Sequence, residues 1–391
     1  MTDLKNKIFS NIEKNENEII ENRRYFHKNP ELSRQEFKTQ EKIIELLKSY
    51  GIESKKIADT GVIADIKGAK DGKIIAIRAD MDALCMNEEI DKPYKSQNAG
   101  VSHSCGHDAH VAGLLGIAKA FAENKDELTG SIRLLFQPDE EELGGADRMI
   151  KEGCLKGVSN VIGHHVWQPV SFGKISVCEE MMAAVGHFDV NIFGKGTHGS
   201  QPQNGINALN VACQAVLAIN TITSCRIDPR EKVVASIGTL ISGEGAANVI
   251  PEKAIFKGTV RAFSTEILDN FATELKKIVK GICDSNGATC EVSYANIYPA
   301  LINDKNLVKM AEDTIKEVLG NDALEPMLSN LGGEDFSYFC KEVPSVFLFT
   351  GVGNNTNAIY PHHNPKFDIE ESGIINGAKV LSALAIKLLN Q

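Results

Sequence analysis

The sequence predicts a two-domain α/β protein, in which a mostly parallel sheet is accompanied by a smaller α+β domain. The chain has 391 residues, which is long enough to form two hydrophobic cores. Strand-like apolar segments alternate with helical segments in the first and last parts, an order typical of a parallel sheet. In the middle, the order changes to β-α-β-β-α-β.

The first part, residues 1–184, opens with a helical pattern over Lys5–Phe26. The further predicted elements are a helix at Thr39–Tyr50, strands at Val62–Ile66 and Lys73–Ile77 with a turn at Asp71–Gly72, a helix at Val111–Phe121, a strand at Ser131–Phe136, a helix at Ala146–Glu152 and a strand at Val158–Ile162. The last part, residues 296–391, returns to this pattern with a helix at Lys305–Leu319 and a strand at Ser345–Thr350. These two parts are expected to form one α/β domain.

The middle part, residues 185–295, is expected to be a second domain inserted into the first. Its predicted elements are Gly186–Phe193, Ala208–Ile222, Val233–Leu240, Ala254–Ala262, Leu268–Ser285 and Thr289–Ala295. The β-α-β-β-α-β order of these elements is that of a ferredoxin-like split unit.

Composition and charge exclude several classes of protein. Hydrophobic residues make up 42% and charged residues 24%, which is ordinary for a globular protein. The 42 basic and 52 acidic residues give a net charge of −10 without a basic block, which argues against nucleic acid or a membrane as partner. The charged N-terminus lacks a signal-peptide core, and the nine cysteines form no repeated C-x-x-C pair. We therefore expect a cytoplasmic protein with reduced thiols that acts on a small molecule.

The segment S-H-S-C-G-H-D-A-H at residues 102–110 carries the densest set of potential metal ligands. Cys105 and His107 are two residues apart, so a loop that ends at a helix start would direct both toward one point. A thiolate and an imidazole together suit a borderline-soft divalent metal. The competing interpretation is a histidine-rich surface loop beside a buried cysteine.

Acidic and imidazole side chains also follow predicted strands elsewhere in the chain. These residues are Asp80 and Asp82, Glu140–Glu142, His164 and His165, and His362 and His363. In open α/β sheets the binding crevice lies outside the carboxyl ends of the strands, so these groups are expected to share one rim. Five or more ligands exceed one tetrahedral site, and two metal ions fit them better.

Each of these assignments has a simpler alternative. The acidic run could be a solvated loop, and each histidine could be an ordinary loop residue. Adjacent residues of an extended chain point in opposite directions, so only one member of each histidine pair is expected to bind metal. Asp82 and Asp108 could orient histidine ligands, although Asp108 could equally cap a helix.

Five motifs together resemble the metal-dependent aminoacylase and carboxypeptidase superfamily. They are R-A-D-M-D-A-L, C-G-H-D-A-H, F-Q-P-D-E-E, G-H-H-V-W and H-N-P-K-F, in that order along nearly the whole chain. More narrowly, they resemble the amidohydrolase branch, which includes hippurate hydrolases, N-acetyldiaminopimelate deacetylases and auxin-conjugate hydrolases. The resemblance implies hydrolysis of N-acyl-L-amino acids and two divalent metal ions per subunit, manganese first, with zinc or cobalt as alternatives. It also implies a homodimer formed through the inserted lid domain.

The resemblance also implies a role for individual residues. The implied metal ligands are Cys105, which would bridge the two ions, His107, Glu141, His165 and His363. Glu140 is the implied general base, and His198 the implied catalytic residue of the lid domain. Asn248 and Arg261 are implied to contact the substrate. Arg261 suits a carboxylate, because its planar guanidinium can bind both oxygens.

The sequence departs from the family pattern at a few positions. Cys85 stands where proline usually follows D-A-L, and Gln203 replaces a common histidine. Asp139, Glu142 and Leu143 replace small residues around the glutamate pair, so the assignment of Glu140 and Glu141 could be one residue out of register. These departures affect the expected substrate preference more than the expected type of reaction.

Two other classes of function compete with the amidohydrolase hypothesis. One is a dipeptidase or carboxypeptidase of the same fold, which the C-G-H motif disfavours. The other is a non-enzymatic protein that binds metal or amino acids. A complete ligand set with an additional glutamate beside it disfavours this class, because a binding protein has no use for a general base.

Overall fold

The computed structural model describes residues 2–326, 329–354, 356 and 358–391. The chain forms two compact units. The first comprises Met1–Met181, Asn303–Leu328 and Tyr338–Gln391, and the second comprises Met182–Ile302 and Ser329–Ser337. Each unit has a sheet and a hydrophobic core of its own.

The α-helices are α1 (Thr2–Lys14), α2 (Glu16–Lys28), α3 (Phe37–Ser49), α4 (His107–Glu123), α5 (Gly145–Lys151), α6 (Ala208–Cys225), α7 (Thr265–Ser285), α8 (Lys305–Leu319), α9 (Ser337–Glu342) and α10 (Gly373–Leu389). Several of these helices begin at the side chains that favour helix starts. Asn207, Ser264 and Asp304 each accept a hydrogen bond from a backbone N–H in the first turn of α6, α7 and α8.

The strands are β1 (Ser54–Ile57), β2 (Gly61–Lys67), β3 (Lys70–Asp80), β4 (Thr129–Gln137), β5 (Val158–Ser171), β6 (Ile175–Ser176), β7 (Glu180–Met182), β8 (Ala184–Phe193), β9 (Thr197–His198), β10 (Val233–Ser242), β11 (Val249–Ile250), β12 (Lys253–Ala262), β13 (Thr289–Tyr298), β14 (Leu301–Ile302) and β15 (Ser345–Gly353).

The first unit contains a seven-stranded sheet in the order β1-β2-β4-β3-β5-β15-β6. The four central strands, β4, β3, β5 and β15, are parallel to one another, as the alternation of strands and helices predicts. Strands β1, β2 and β6 add antiparallel pairs at the two edges, so the complete sheet is mixed.

The central strands are apolar because they are covered. Every residue of β15 is buried, and α10 packs against β3, β5 and β15. Helix α4 packs against α2, α10 and the strands β3, β4 and β5. Since α4 and α10 are buried over most of their circumference, they are apolar on nearly all sides.

Two local predictions are wrong. The pattern over Lys5–Phe26 forms two helices, because α1 ends at Lys14 and α2 begins at Glu16. The Asp71–Gly72 pair makes no turn, because both residues lie within β3. Strand β4 inserts between β2 and β3 in the sheet, so those two strands do not form a hairpin.

The second unit contains a four-stranded antiparallel sheet in the order β10-β12-β8-β13. Helices α6 and α7 pack on it around a core that includes Phe188, Ile219, Phe256 and Phe271. The β-α-β-β-α-β order of these elements is that of a ferredoxin-like unit, as the sequence pattern predicts.

One helix of the described residues, α6, is long and apolar enough to span a membrane by length and composition. Its residues Val211, Ala215, Ile219 and Ile222 are buried in the core of the second unit. This packing accounts for the apolar residues on one face of α6, a helix of which 33% is buried.

Candidate metal centre

Cys105 and His107 are brought together by a tight turn that leads into α4. Gly106 has φ +95°, and a Cβ on it would lie 2.5 Å from Val166 Cγ2, so only glycine fits there. Helix α4 starts at His107. Potential ligand atoms of Cys105, His107 and His165 lie within 4.8 Å of one another, and Cys105 Sγ is 3.4 Å from His165 Nε2.

Glu140 and Glu141 lie on the turn between β4 and α5. One oxygen of each carboxylate and one ring nitrogen of His107 lie within 4.8 Å of one another, so these three residues form a group of potential ligands. Glu141 Oε1 is 3.8 Å from His107 Nε2 and 3.5 Å from His363 Nε2. Glu142 is exposed, and among the described residues its carboxylate belongs to no such group.

Asp139 fixes the shape of this turn. Its backbone is left-handed, with φ 58°, and its carbonyl accepts hydrogen bonds from the N–H groups of Gly144 and Gly145 at 3.1 and 2.9 Å. The buried carboxylate is 2.9 Å from Arg34 Nε and 3.2 Å from Arg148 Nη2. These contacts explain why an acid can replace the usual small residue, since two arginines balance its charge.

Glu36 holds the same turn from another side. Its Oε1 accepts a hydrogen bond from the N–H of Asp139 at 2.9 Å, and its Oε2 accepts one from Thr60 Oγ1 at 2.6 Å. Burial and the negative charge of Asp82 raise the pKa of Glu36 to about 7.

His363 completes a second group of potential ligands, with Cys105 and Glu141. Its backbone has φ 61°, an uncommon conformation for a residue other than glycine. The N–H of His363 donates a hydrogen bond to the carbonyl of Ser104 at 2.8 Å, which ties its loop to the Cys105 turn. Strain of this kind is found most often at functional sites.

Within each histidine pair, one member joins a ligand group and the other does not. His164 Nδ1 lies 2.8 Å from Thr350 Oγ1, away from Cys105. His362 Nε2 donates to the carbonyl of Val166 at 2.9 Å. The prediction that His164 and His165 follow the strand is wrong, because β5 continues through both residues to Ser171.

The backbone fixes which nitrogen of each ligand histidine is available. His107 Nδ1 donates to the carbonyl of Asp82 at 3.0 Å, and His165 Nδ1 donates to the carbonyl of Val166 at 2.6 Å. In both rings Nε2 is then the nitrogen directed at the group of ligand atoms. Hydrogen bonds of this kind are the usual means of orienting a metal-binding imidazole.

Two buried atoms show that these residues fit a metal ion. His107 Nε2 and Glu141 Oε1 have no hydrogen-bond partner among the described residues. Buried polar atoms in proteins are nearly always satisfied, so two such atoms in one group indicate a missing cation. Thiolate, imidazole and carboxylate together suit zinc, cobalt or manganese.

The electrostatics of the group also favour a cation. Burial raises the pKa of the Cys105 thiol, and the carboxylates of Glu141 and Glu140 raise it further. Burial lowers the pKa of His107, but Asp80 and Asp82 outweigh it and raise that pKa to about 10. Excess negative charge at this position would be balanced by divalent ions.

The sequence predicted no role for His110. It predicted for Asp80 only a position at the carboxyl ends of the strands. His110 Nδ1 is hydrogen-bonded to Asp80, and its Nε2 accepts from the N–H of Val166 at 2.8 Å. Asp80 Oδ2 also binds Arg78 Nη1 at 2.7 Å and lies 3.6 Å from His107 Nε2. The three-residue spacing of His107 and His110 on α4 was the available signal.

The two aspartates considered as orienting groups behave differently. Asp82 contacts His107, and its Oδ2 accepts hydrogen bonds from Ser33 Oγ at 2.7 Å and the N–H of Glu141 at 3.0 Å. Asp108 instead binds Arg23 Nε at 2.8 Å and His27 Nδ1 at 2.7 Å. Both alternatives for Asp108 are therefore wrong, because the N-cap of α4 is Gly106.

The three remaining site candidates lie in the second unit. His198 is exposed and pairs with Val249 between β9 and β11, while Asn248 accepts a hydrogen bond from the N–H of Gly199 at 2.7 Å. Arg261 is half-buried near the far end of β12, where it contacts Thr259 and the carbonyl of Val260. The structure therefore brings His198 and Asn248 together, with Arg261 at a separate place.

Ligand groups beside the carboxyl ends of parallel strands, with a buried glutamate next to them, suit a metal-dependent hydrolase. The similar proteins, which are named amidohydrolases, deacetylases and peptidases, identify the chain as a metal-dependent hydrolase of amide bonds. The chain belongs to the peptidase family M20/M25/M40, whose pattern it matches over residues 76–387.

Known proteins resemble the chain over its full length. The thermostable carboxypeptidase 2 of Saccharolobus solfataricus is 38% identical to this chain, and the alignment covers 100% of both chains. The N-acetyl-L-cysteine deacetylase of Bacillus subtilis is 37% identical over 97% of this chain and 90% of its own length. The crystal structure of a Bacillus subtilis protein described as a dinuclear metal binding peptidase from the M20 family is 31% identical. It has a TM-score of 0.82 and covers 97% of this chain and 99% of its own.

Proposed function

We propose that the enzyme hydrolyses the amide bond of N-acyl-L-amino acids, releasing a carboxylic acid and the free amino acid. The observation that carries this proposal is the pair of ligand groups that share Cys105, one with His107 and His165 and the other with Glu141 and His363. A residue common to two ligand groups suits a dinuclear centre, which these five residues would hold. A dinuclear relative and an N-acyl amino acid deacetylase among similar proteins support it.

Divalent ions held by these five residues would activate water and polarise the scissile carbonyl group. Glu140 is assigned the proton transfers, because its carboxylate lies in one group with His107 and Glu141 but is not needed as a ligand. Its carboxylate would accept a proton from the attacking water and later deliver it to the nitrogen of the leaving amine. Asp82 would keep His107 and the backbone of Glu141 in position throughout.

The second unit would supply the substrate contacts. His198 would donate a hydrogen bond to the oxygen of the scissile carbonyl, with Asn248 beside it. Arg261 would bind the substrate carboxylate. Ile255 lies on β12 beside the same cleft as His198, and Arg261 is six positions further along that strand, about 20 Å away. Within one chain these groups are too far apart for one small substrate.

This separation supports a homodimer in which a second copy contributes His198. The second unit (predicted as residues 185–295) has two features of such an interface. The side chain of Leu217 on α6 is 72% exposed, and the exposed Cys213 lies one turn earlier on the same helix. Strand β10 is an edge of its sheet, and its Val234 is exposed. An unpaired apolar edge can pair with its symmetry mate around a two-fold axis.

A peptidase is the second candidate, because two similar proteins of Saccharolobus solfataricus are named carboxypeptidases. Both reactions need the same metal chemistry and differ only in the group on the acyl side. For either reaction the partner is a small molecule in the cytoplasm, and no basic block in the chain suits nucleic acid.

A substrate panel tests the proposal. Acetyl, benzoyl and indoleacetyl derivatives of one amino acid are compared with dipeptides that end in the same amino acid. We expect kcat/KM to be higher for at least one acyl derivative than for every dipeptide. Faster cleavage of the dipeptides would establish the peptidase instead.

Complementation between subunits tests the proposed dimer. His198→Ala and Glu140→Gln chains, each inactive alone, are expected to regain part of the wild-type activity when mixed, because some sites in mixed dimers then carry both intact residues. Activity and subunit exchange are measured on the same sample. If mixed dimers are shown to form but activity does not recover, each site is built from one chain.

A further inference from the structure

A cleft of about 810 Å³ opens in the second unit beside His198. Small-molecule sites usually have volumes of roughly 300–1,000 Å³. Ile241, Val249 and Ile255 contribute apolar side chains to its lining. Glu244 and Glu252 contribute two carboxylates and Lys253 one ammonium group, so the charged side chains of the lining are negative on balance. A cleft with this lining suits an apolar group without negative charge.

The apolar lining begins directly beside the imidazole. His198 and Val249 are opposite each other in the β9–β11 pair, so their side chains project from the same face. The Cβ atoms of such a pair are about 4.5–5.5 Å apart. Ile241 and Ile255 form a second cross-strand pair between β10 and β12. A group bound at the His198 imidazole would therefore contact apolar side chains on the neighbouring surface.

These side chains are uncovered in the single chain. Val249 is 58% exposed and Ile241 is 61% exposed. Exposed apolar surface that surrounds a polar group is typical of a ligand site or an interface between proteins. The position of His198, the proposed contact of the scissile carbonyl, favours a ligand.

We infer that this cleft is the acyl subsite, an inference that rests on the proposed function. When His198 contacts the carbonyl oxygen, Val249, Ile241 and Ile255 contact the hydrocarbon part of the acyl group. The carbonyl carbon carries only two other substituents, the acyl chain and the amide nitrogen. The nitrogen side leads to the substrate carboxylate, which Glu244 and Glu252 would repel from the cleft.

The inferred subsite defines a substrate class. Neutral acyl groups of aromatic or branched aliphatic character fill the cleft and bury its apolar side chains. An acetyl group is too small to reach most of them. A succinyl group brings a second carboxylate next to Glu244 and Glu252. The expected order of kcat/KM is therefore benzoyl above acetyl, and acetyl above succinyl.

The test compares Val249→Ala with the wild type on N-benzoyl and N-acetyl derivatives of the same amino acid. Leu240→Ala is the matched control, because Leu240 is 40% exposed on the same strand as Ile241 but is not among the described residues that line the cleft. Val249→Ala is expected to lower kcat/KM for the benzoyl substrate about tenfold and for the acetyl substrate less than about twofold. Leu240→Ala is expected to change neither.

A second series separates the acyl group from the amino acid. The benzoyl group is kept constant while glycine, leucine and methionine are compared as the amino acid. The loss in Val249→Ala should be the same for all three. Three results for kcat/KM of Val249→Ala would overturn the inferred subsite. They are a loss whose size changes with the amino acid, an equal loss on benzoyl and acetyl substrates, and no loss at all.

Two further measurements keep the possible causes distinct. If Val249→Ala sediments as a monomer and loses both activities equally, Val249 is a contact between copies and the acyl subsite is overturned. A wild-type enzyme that cleaves dipeptides but no acyl amino acid would overturn the proposed function itself. That result is recorded before any variant is compared.

Discussion

Replacing Glu140 with glutamine is expected to lower kcat by about a hundred- to ten-thousand-fold, the usual effect of losing a general acid–base group. Glutamine keeps the size and polarity of the side chain but cannot accept a proton. The buried position of Glu140 changes little, so metal content and thermal unfolding should stay near those of the wild type. Stopped-time assays at saturating substrate and metal measure the change in kcat.

Glu141→Gln is expected to act differently, because Glu141 Oε1 is a buried atom of the ligand group that has no hydrogen-bond partner among the described residues. This variant should bind less metal and recover part of its activity in excess metal. Glu142→Gln is the matched control, since Glu142 is the exposed neighbour in the same acidic run. It should keep both metal and turnover.

The opposite pattern would change the assignment. If Glu140→Gln loses metal while Glu141→Gln keeps metal and is inactive, the register of the acidic run is shifted by one residue. If all three variants keep metal and turnover, the run is a solvated loop and the proposed proton transfers are wrong.

Removing the metal ions is expected to abolish activity, because no other group of the site can activate water to the same extent. About two divalent ions per chain should be found by elemental analysis of gently purified protein. Prolonged chelation should remove them, and adding manganese, zinc or cobalt should restore turnover. At a metal concentration of about one hundred times Kd, the folded state gains about 2.7 kcal/mol, so Tm should fall on chelation.

Two cysteine variants provide the control for the metal-removal experiment. Cys105→Ser should lower the metal content of both subsites, because Cys105 is the residue common to the two ligand groups. Cys225→Ser, at the exposed C-terminal end of α6, should leave metal content and activity unchanged. Full activity in a protein shown to hold no metal would contradict the proposed dinuclear mechanism.

Much of the fold followed from short-range patterns. Alternating strands and helices predicted the parallel centre of the large sheet, and the order of the middle elements predicted the ferredoxin-like sheet. The pairing of β2 with β4 was not predictable, because local periodicity contains no information on distant partners. For the same reason, the Asp71–Gly72 pair looked like a hairpin turn although it lies inside a strand.

The chemical identity of the site was already visible in the sequence. Cys105 and His107 flank a glycine turn, Glu141 follows β4 and His363 lies on the loop after β15, so the convergence of these four could be anticipated. His165 was also predicted as a ligand, although it lies within β5 and does not follow it. Alternation along an extended chain predicted only one ligand in each histidine pair, and the family resemblance selected His165 and His363. Metal binding by these five residues stays a prediction until the experiments above are done.

Other features depend on contacts between distant segments and arise only in the folded chain. Asp139 looks unfavourable beside two glutamates, but Arg34 and Arg148 come from other parts of the chain to balance its charge. Asp108 has the spacing of a helix cap, yet its partners Arg23 and His27 come from α2. The ionisation and orientation of a buried group depend on its neighbours in space, and most of those neighbours are remote in sequence.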